Sequence, residues 1–179
     1  NLYKAILPPD KLVYALKHLH SHLAGDSRVV SRFLTGCRAM MNLDHPGVVK
    51  VYDVDMDVGS NSPYIVMEYI AGKSVYRLLT ETQTRGQRLR EQVAMSVVYQ
   101  IACALNSVHA KNAIHGDLNP HNILIGGAGR VALVDFSTVA GYTASDLSGQ
   151  DEALTGTLEY MSPETLKGSF GTPADDLWA

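Results

Sequence analysis

The chain changes period part-way along, and that change limits its architecture more than any other feature. Through residue 70 the apolar residues gather in short runs, LYKAI, LVYALKHL, VVKVYDV and YIVMEYI, separated by clusters of Pro, Gly, Asn and Ser. Short runs punctuated in this way are the pattern of strands and their turns. One stretch breaks it: behind Asp26, a candidate cap, Val29, Val30, Phe33, Leu34, Cys37, Met40 and Met41 recur at helical spacing as far as Leu43. From Arg90 to Val108 a long amphipathic helix follows, and then two short strands, NILI and RVALVDF, split by the turn GGAG. A strand-rich first part with one helix, followed by a helix-led second part, predicts an α+β chain in two lobes. The seam falls at Glu68–Lys73, the kind of place where ligands bind.

Composition narrows the function. With 46% hydrophobic and 18% charged residues in 179, the chain is an ordinary globular one. A net charge of -3 gives no broad pull toward nucleic acid or an anionic membrane, so phosphate recognition has to be local. No run is apolar for long enough to span a membrane. Cys37 and Cys103 stand far apart in apolar surroundings and read as reduced core thiols, which favours a cytoplasmic location, with any anchor of the parent protein lying outside this piece.

The chemistry-bearing residues lie in order along the chain. Between the long helix and the next strand runs HGDLNPHNIL (115–124), and Asp135-Phe136-Ser137 follows it. Lys17 ends the run YALK, and GTLEYMSPE (156–164) and DDLW (175–178) come later. Together these resemble the motifs of protein kinases, of the bacterial serine/threonine type, and the resemblance covers essentially the whole chain. It implies a two-lobed kinase fold: a small antiparallel N-lobe over residues 1–69 with one main helix, and a helical C-lobe over 70–179. The opening and closing residues read as cuts at both ends, with the Gly-rich phosphate loop missing upstream and the second lobe incomplete.

The resemblance also implies roles. Asp117 would orient or accept the proton of the substrate hydroxyl, Asn122 and Asp135 would bind Mg2+, and Lys17 would contact the non-terminal phosphates of ATP. Around the adenine it places Leu2, Ala15 and Leu124 against the ring, Met67 as gatekeeper, and backbone groups of Glu68 and Ile70 as hydrogen-bonding partners. Thr157 would help hold Asp117. Met40, Val51, His115 and Phe136 would stack as a spine anchored by Asp176. Thr138, Thr143, Ser145, Ser148 and Thr155 are candidate phosphorylation sites.

Several positions depart from the family pattern. The glutamate expected on the crossing helix to pair with Lys17 is Gly36, and no Asp or Glu lies between Asp26 and Asp44 to replace it. Lys17 is therefore expected to be unpaired or to lean on Asp135. The arginine before Asp117 is Gly116 and the lysine two after it is Asn119. A protonated His121 is one candidate for the lost charge, an exposed loop histidine the other. His18, His20 and His22 would line one face of an extended strand, as a metal site or as surface residues.

Three readings follow. One is a Mg-ATP-dependent serine/threonine kinase of reduced activity acting on protein hydroxyls. The second is a pseudokinase that binds nucleotide or docks a protein partner. The third, a small-molecule phosphotransferase, shares the His-Gly-Asp loop but not GTLEYMSPE.

Overall fold

A computed structural model describes residues 2–7, 11–20, 22–136, 158–167 and 172–179. The first lobe is built on a four-stranded antiparallel sheet in the order β1-β2-β4-β3, from β1 (Leu2–Leu7), β2 (Leu12–His18), β3 (Val51–Asp57) and β4 (Ser62–Glu68). Its register pairs Leu2 with Lys17 and Ala15 with Met67. Ser62, Pro63, Ile65 and Met67 of β4 are buried while Tyr64, Val66 and Glu68 are half-buried, a pleat that places the heavier apolar side chains inward. The β3–β4 turn is held by the Asp57 carboxylate, which accepts from the N–H groups of Gly59 and Ser60 at 3.3 and 3.1 Å.

Helix α1 (Ser27–Met41) crosses this sheet. Asp26 caps it as expected, its carboxylate accepting from the Arg28 N–H at 2.8 Å. Phe33, Cys37 and Met40 are its buried face, and Gly36 is buried among them.

The second lobe starts with a three-stranded sheet, β5 (Lys73–Ser74), β6 (Ile123–Ile125) and β7 (Val131–Leu133), in that order. Helix α2 (Val75–Thr84) is an element the sequence-based expectations lack. Its Ser74 cap accepts from the Arg77 N–H at 3.2 Å, but no residue of it is fully buried, and Thr80, Thr82 and Thr84 each bond back to a carbonyl one turn earlier. Helix α3 (Glu91–His109) matches the expected long helix and buries Val97, Ala104, Leu105 and Val108. Two short helices complete the described residues: α4 (Pro163–Leu166), capped by Ser162, and α5 (Pro173–Trp178), opened by a Thr172–Asp175 capping box.

The stretch RVALVDF, read as one strand, pairs only over Val131–Leu133. Val134 adds one more bond in the same register, its N–H donating to the Asn122 carbonyl at 3.0 Å, and Asp135 then turns to φ 65°. The loop before β3 docks onto β7 as a parallel bridge: Val49 N–H donates to Leu133 O, and Leu133 N–H to Gly47 O, both at 2.9 Å. One hydrophobic cluster therefore runs through both lobes, from Phe33 and Met40 to Leu118 and Phe136.

The connection between the lobes passes very close to β6. A Cβ at Gly72 would lie 2.0 Å from the Ile125 carbonyl oxygen and 2.9 Å from the Gly126 Cα, and neither backbone atom can swing aside. Gly72→Ala is expected to lower the unfolding free energy by about 1–3 kcal/mol, the usual cost of overpacking. Urea denaturation of the full-length protein measures this, and an unchanged midpoint would contradict the close approach of the connection at Gly72 to β6.

Candidate active site

The loop joining α3 to β6 carries HGDLNPHN, and its shape is set from below by one carboxylate. Asp176, buried at the start of α5, accepts from the N–H groups of His115 and Gly116 at 2.8 Å each and from His109 Nε2 at 2.7 Å. Gly116 takes φ 76°, a conformation that costs glycine nothing. His115 is wholly buried and packs on Phe136 with ring centroids 4.4 Å apart. Its Nε2 lies 2.9 Å from the Val134 carbonyl, and its Nδ1 accepts from the Asp117 N–H at 3.3 Å. That pairing requires a neutral ring with the proton on Nε2. Burial, which holds the His115 pKa below the usual histidine value, acts in the same direction.

Asp117 is held on both oxygens. Asn119 Nδ2 donates to Oδ1 at 3.0 Å and Asn122 Nδ2 to Oδ2 at 2.9 Å, and both amides also reach the Asp117 main-chain carbonyl. Burial, followed by the negative charge of Asp135, pushes the Asp117 pKa up to about 6, while the two amides and Lys17 pull it down. Asn119 is buried, and its Oδ1 accepts from the His121 N–H at 3.0 Å, so both ends of its amide are engaged within the loop. His121 is exposed and stacks on Tyr76 of α2, with centroids 3.9 Å apart and planes 23° off parallel. The Tyr76 N–H donates to the Pro120 carbonyl at 2.9 Å, which ties α2 to the loop.

Opposite this loop, Lys17 on β2 reaches Asp135, 118 residues away in sequence, and the two form an ion pair, each side chain less than a third exposed. This is one of the two arrangements expected once Gly36 replaces an acidic partner. As oxygen ligands for a hard cation, the Asp135 carboxylate and the Asn122 Oδ1 are chemically suited, since the Asn122 amide hydrogens are directed at Asp117. Among the described residues no group of three or more His, Cys, Asp or Glu could hold a metal ion, so the His18, His20 and His22 site is not formed. Strand β2 ends at His18, whose ring stacks on Tyr64, whereas His20 and His22 lie beyond the strand and pack on one another.

Of the residues expected around adenine, Met67 is buried and faces Ala15 across the ladder, and Ala15 and Leu124 are half-buried. Leu2, opposite Lys17, is 69% exposed. The Glu68 N–H is already taken by the Lys50 carbonyl at 2.8 Å, and its side chain is paired with Arg130. Among the described residues nothing takes the Ile70 N–H. Thr157, Ser137 and the five hydroxyl residues from Thr138 to Thr155 lie outside the described residues. Tyr76, His109 and Arg130 carry contacts that sequence reasoning did not single out, and each stands in a stretch with no motif of its own.

Comparison with known proteins finds a match over the full length of the chain: the protein kinase domain model matches residues 1–179. The chain belongs to the protein kinase family. It is 31% identical over 165 residues to the serine/threonine-protein kinase PrkC of Bacillus subtilis, covering 92% of this chain and 24% of that protein. It is 36% identical over 138 residues to the Aurora/IPL1-related protein kinase 2 of Caenorhabditis elegans, covering 77% of this chain and 42% of that one. The crystal structure of the Mycobacterium tuberculosis PknI kinase domain superposes with a TM-score of 0.75 at 23% identity, over 98% of this chain and 61% of that one. The chain thus spans less than half the length of these two curated kinases. The α+β, two-lobed kinase fold is as expected, and no helix among the described residues is long and apolar enough to cross a membrane.

The Asp176 contacts set a testable cost. Asp176→Asn keeps the shape but offers one oxygen to donors that now use two, and each buried donor left unmet costs about 1–3 kcal/mol. Chemical denaturation of the full-length protein should show a loss of at least that size. Stability equal to wild type would mean that the loop is not anchored through this carboxylate.

Proposed function

We propose that this chain is the nucleotide-binding and phosphoryl-transfer part of a serine/threonine protein kinase, acting from Mg-ATP on protein hydroxyls at a reduced rate. The observation that carries the reading is the Lys17–Asp135 contact, which brings the cation of β2 and the acid after β7 together across the cleft from the Asp117–Asn122 loop. Asp117 would accept the hydroxyl proton as the oxygen attacks phosphorus. Its two amide partners fix the direction of its carboxylate. Lys17 would neutralise the non-terminal phosphates, while Asp135 and Asn122 would hold the metal. When bound, magnesium would supply charge neutralisation on the phosphate oxygens.

The adenine would lie between Leu2 and Ala15 on one side and Leu124 on the other, beside Met67. The Glu68 carbonyl and the Ile70 N–H would face its edge, with the lobes dividing at residues 69 and 70. Thr157 would support Asp117 from the segment before α4. Gly116, Asn119 and Gly36 are the grounds for a reduced rate, since each replaces a charged group. His121, stacked on Tyr76, is oriented by an aromatic partner, which suits a role at the mouth of the site rather than on the transferred phosphate.

The same contact also supports a second reading. Lys17 is paired with the same carboxylate that the metal needs, and α1 offers no acid to draw it away. A protein in that state would act by docking a partner rather than by catalysis. Thermal denaturation of the full-length protein tests the nucleotide site on which the first reading depends. Magnesium with ATP should raise the melting temperature, and Asp135→Asn should remove the rise. No shift at millimolar ATP would retire the enzyme and leave the docking protein.

For the enzyme, the raised pKa of Asp117 fixes the sign of the pH dependence. The carboxylate accepts a proton only when ionised, so kcat/KM for the peptide substrate should climb with pH through about 6 and level off above it. A profile flat from pH 5 to 8 would remove Asp117 as the base, as its position would then not govern the rate.

A further inference from the structure

Arg130 follows the turn between β6 and β7, and its guanidinium spends its donors on two separate segments of the first lobe. Both Nη atoms pair with the Glu68 carboxylate, Nη2 with Oε2 at 2.9 Å, and Nε donates to the Pro46 carbonyl at 2.7 Å. Its own backbone is immobilised from the second lobe. Gln100 of α3 donates to the Gly129 carbonyl at 3.2 Å and accepts from the Val131 N–H at 3.1 Å, while Gly126 N–H donates to the Arg130 carbonyl at 2.8 Å.

Glu68 is the last residue of β4, so this fork grips the chain where it leaves the first sheet. Two residues further on, the Ile70 side chain packs against Gly126 of the same turn; a Cβ there would lie 3.0 Å from Ile70 Cγ2. The segment that would present its backbone to adenine is thus braced at Glu68 and at Ile70 against a single element. We infer that Arg130 is a positioning residue for the nucleotide, holding the connection between the lobes, through Glu68, in the orientation that offers the Glu68 carbonyl and the Ile70 N–H to an adenine ring. This rests on the nucleotide site proposed above.

The geometry calls for arginine, because only a planar fork meets a carboxylate on two parallel bonds while its third nitrogen reaches another acceptor. Both side chains remain a quarter to a third exposed, so the pair adds little to global stability, and its effect belongs in ligand affinity.

The test uses the full-length protein, with ATP affinity measured by competition against a fluorescent ATP analogue, alongside the melting temperature without ligand. Arg130→Gln should weaken ATP by about fivefold or more, a coupling of ordinary size between linked sites, and Arg130→Lys should fall between it and wild type. The ligand-free melting temperature should stay near that of wild type in both. Unchanged affinity in Arg130→Gln beside a wild type that binds ATP overturns the inference alone, as does a loss of affinity that merely tracks a fall in melting temperature. A wild type that binds no nucleotide overturns both this inference and the reading beneath it.

Discussion

The loop that carries Asp117 hangs from one buried carboxylate. Asp176 takes hydrogen bonds from two consecutive main-chain N–H groups and one imidazole, and those two N–H groups open the loop that carries Asp117. A loop is costly to order in a single conformation, and here the cost is offset by groups that would otherwise be buried without partners. Order then passes upward: His115 is fixed by Val134 and Phe136, Asp117 by its bond to His115, and Asn119 and Asn122 by Asp117. The site is a stack of dependencies, each layer satisfying the polar atoms of the next.

Charge is distributed sparsely over that stack. Asp117 sits in a poor environment for an anion, and the neighbouring Asp135 makes it poorer. Lys17 is the cation that engages Asp135, and α1 contributes only Gly36 and the buried Cys37 where an acid would compete for it. The Cys37 thiol, its pKa raised to about 12 chiefly by burial, cannot play that part. The lysine is accordingly settled on the Asp135 side of the cleft.

The sequence made the large elements legible because their signals are strong and local. The strands of the first sheet, α1 with its Asp26 cap and the nineteen-residue α3 all carry clear periodicity or punctuation. Helix α2 went unrecognised although Val75, Leu78 and Leu79 stand at helical spacing on its half-buried face, because the pattern is short and set among threonines. Within the site, Asp117, Asn122, Asp135 and Lys17 stood out through motif spacing. Arg130, Gln100 and Tyr76 did not, since their contacts are long-range pairings of single residues, and nothing in the local sequence announces a partner thirty or more positions away.

The parallel bridge of residues 47–49 to β7 gives the lobes a second attachment besides the connection through Gly72. These two main-chain attachments define a line, and rotation about it is the motion that disturbs them least. The cleft would open and shut about that axis, without sliding sideways. Arg130 touches Pro46 beside one attachment and Glu68 beside the other, so it lies close to the axis, where arcs are shortest. A fastener placed there can stay closed while the cleft moves.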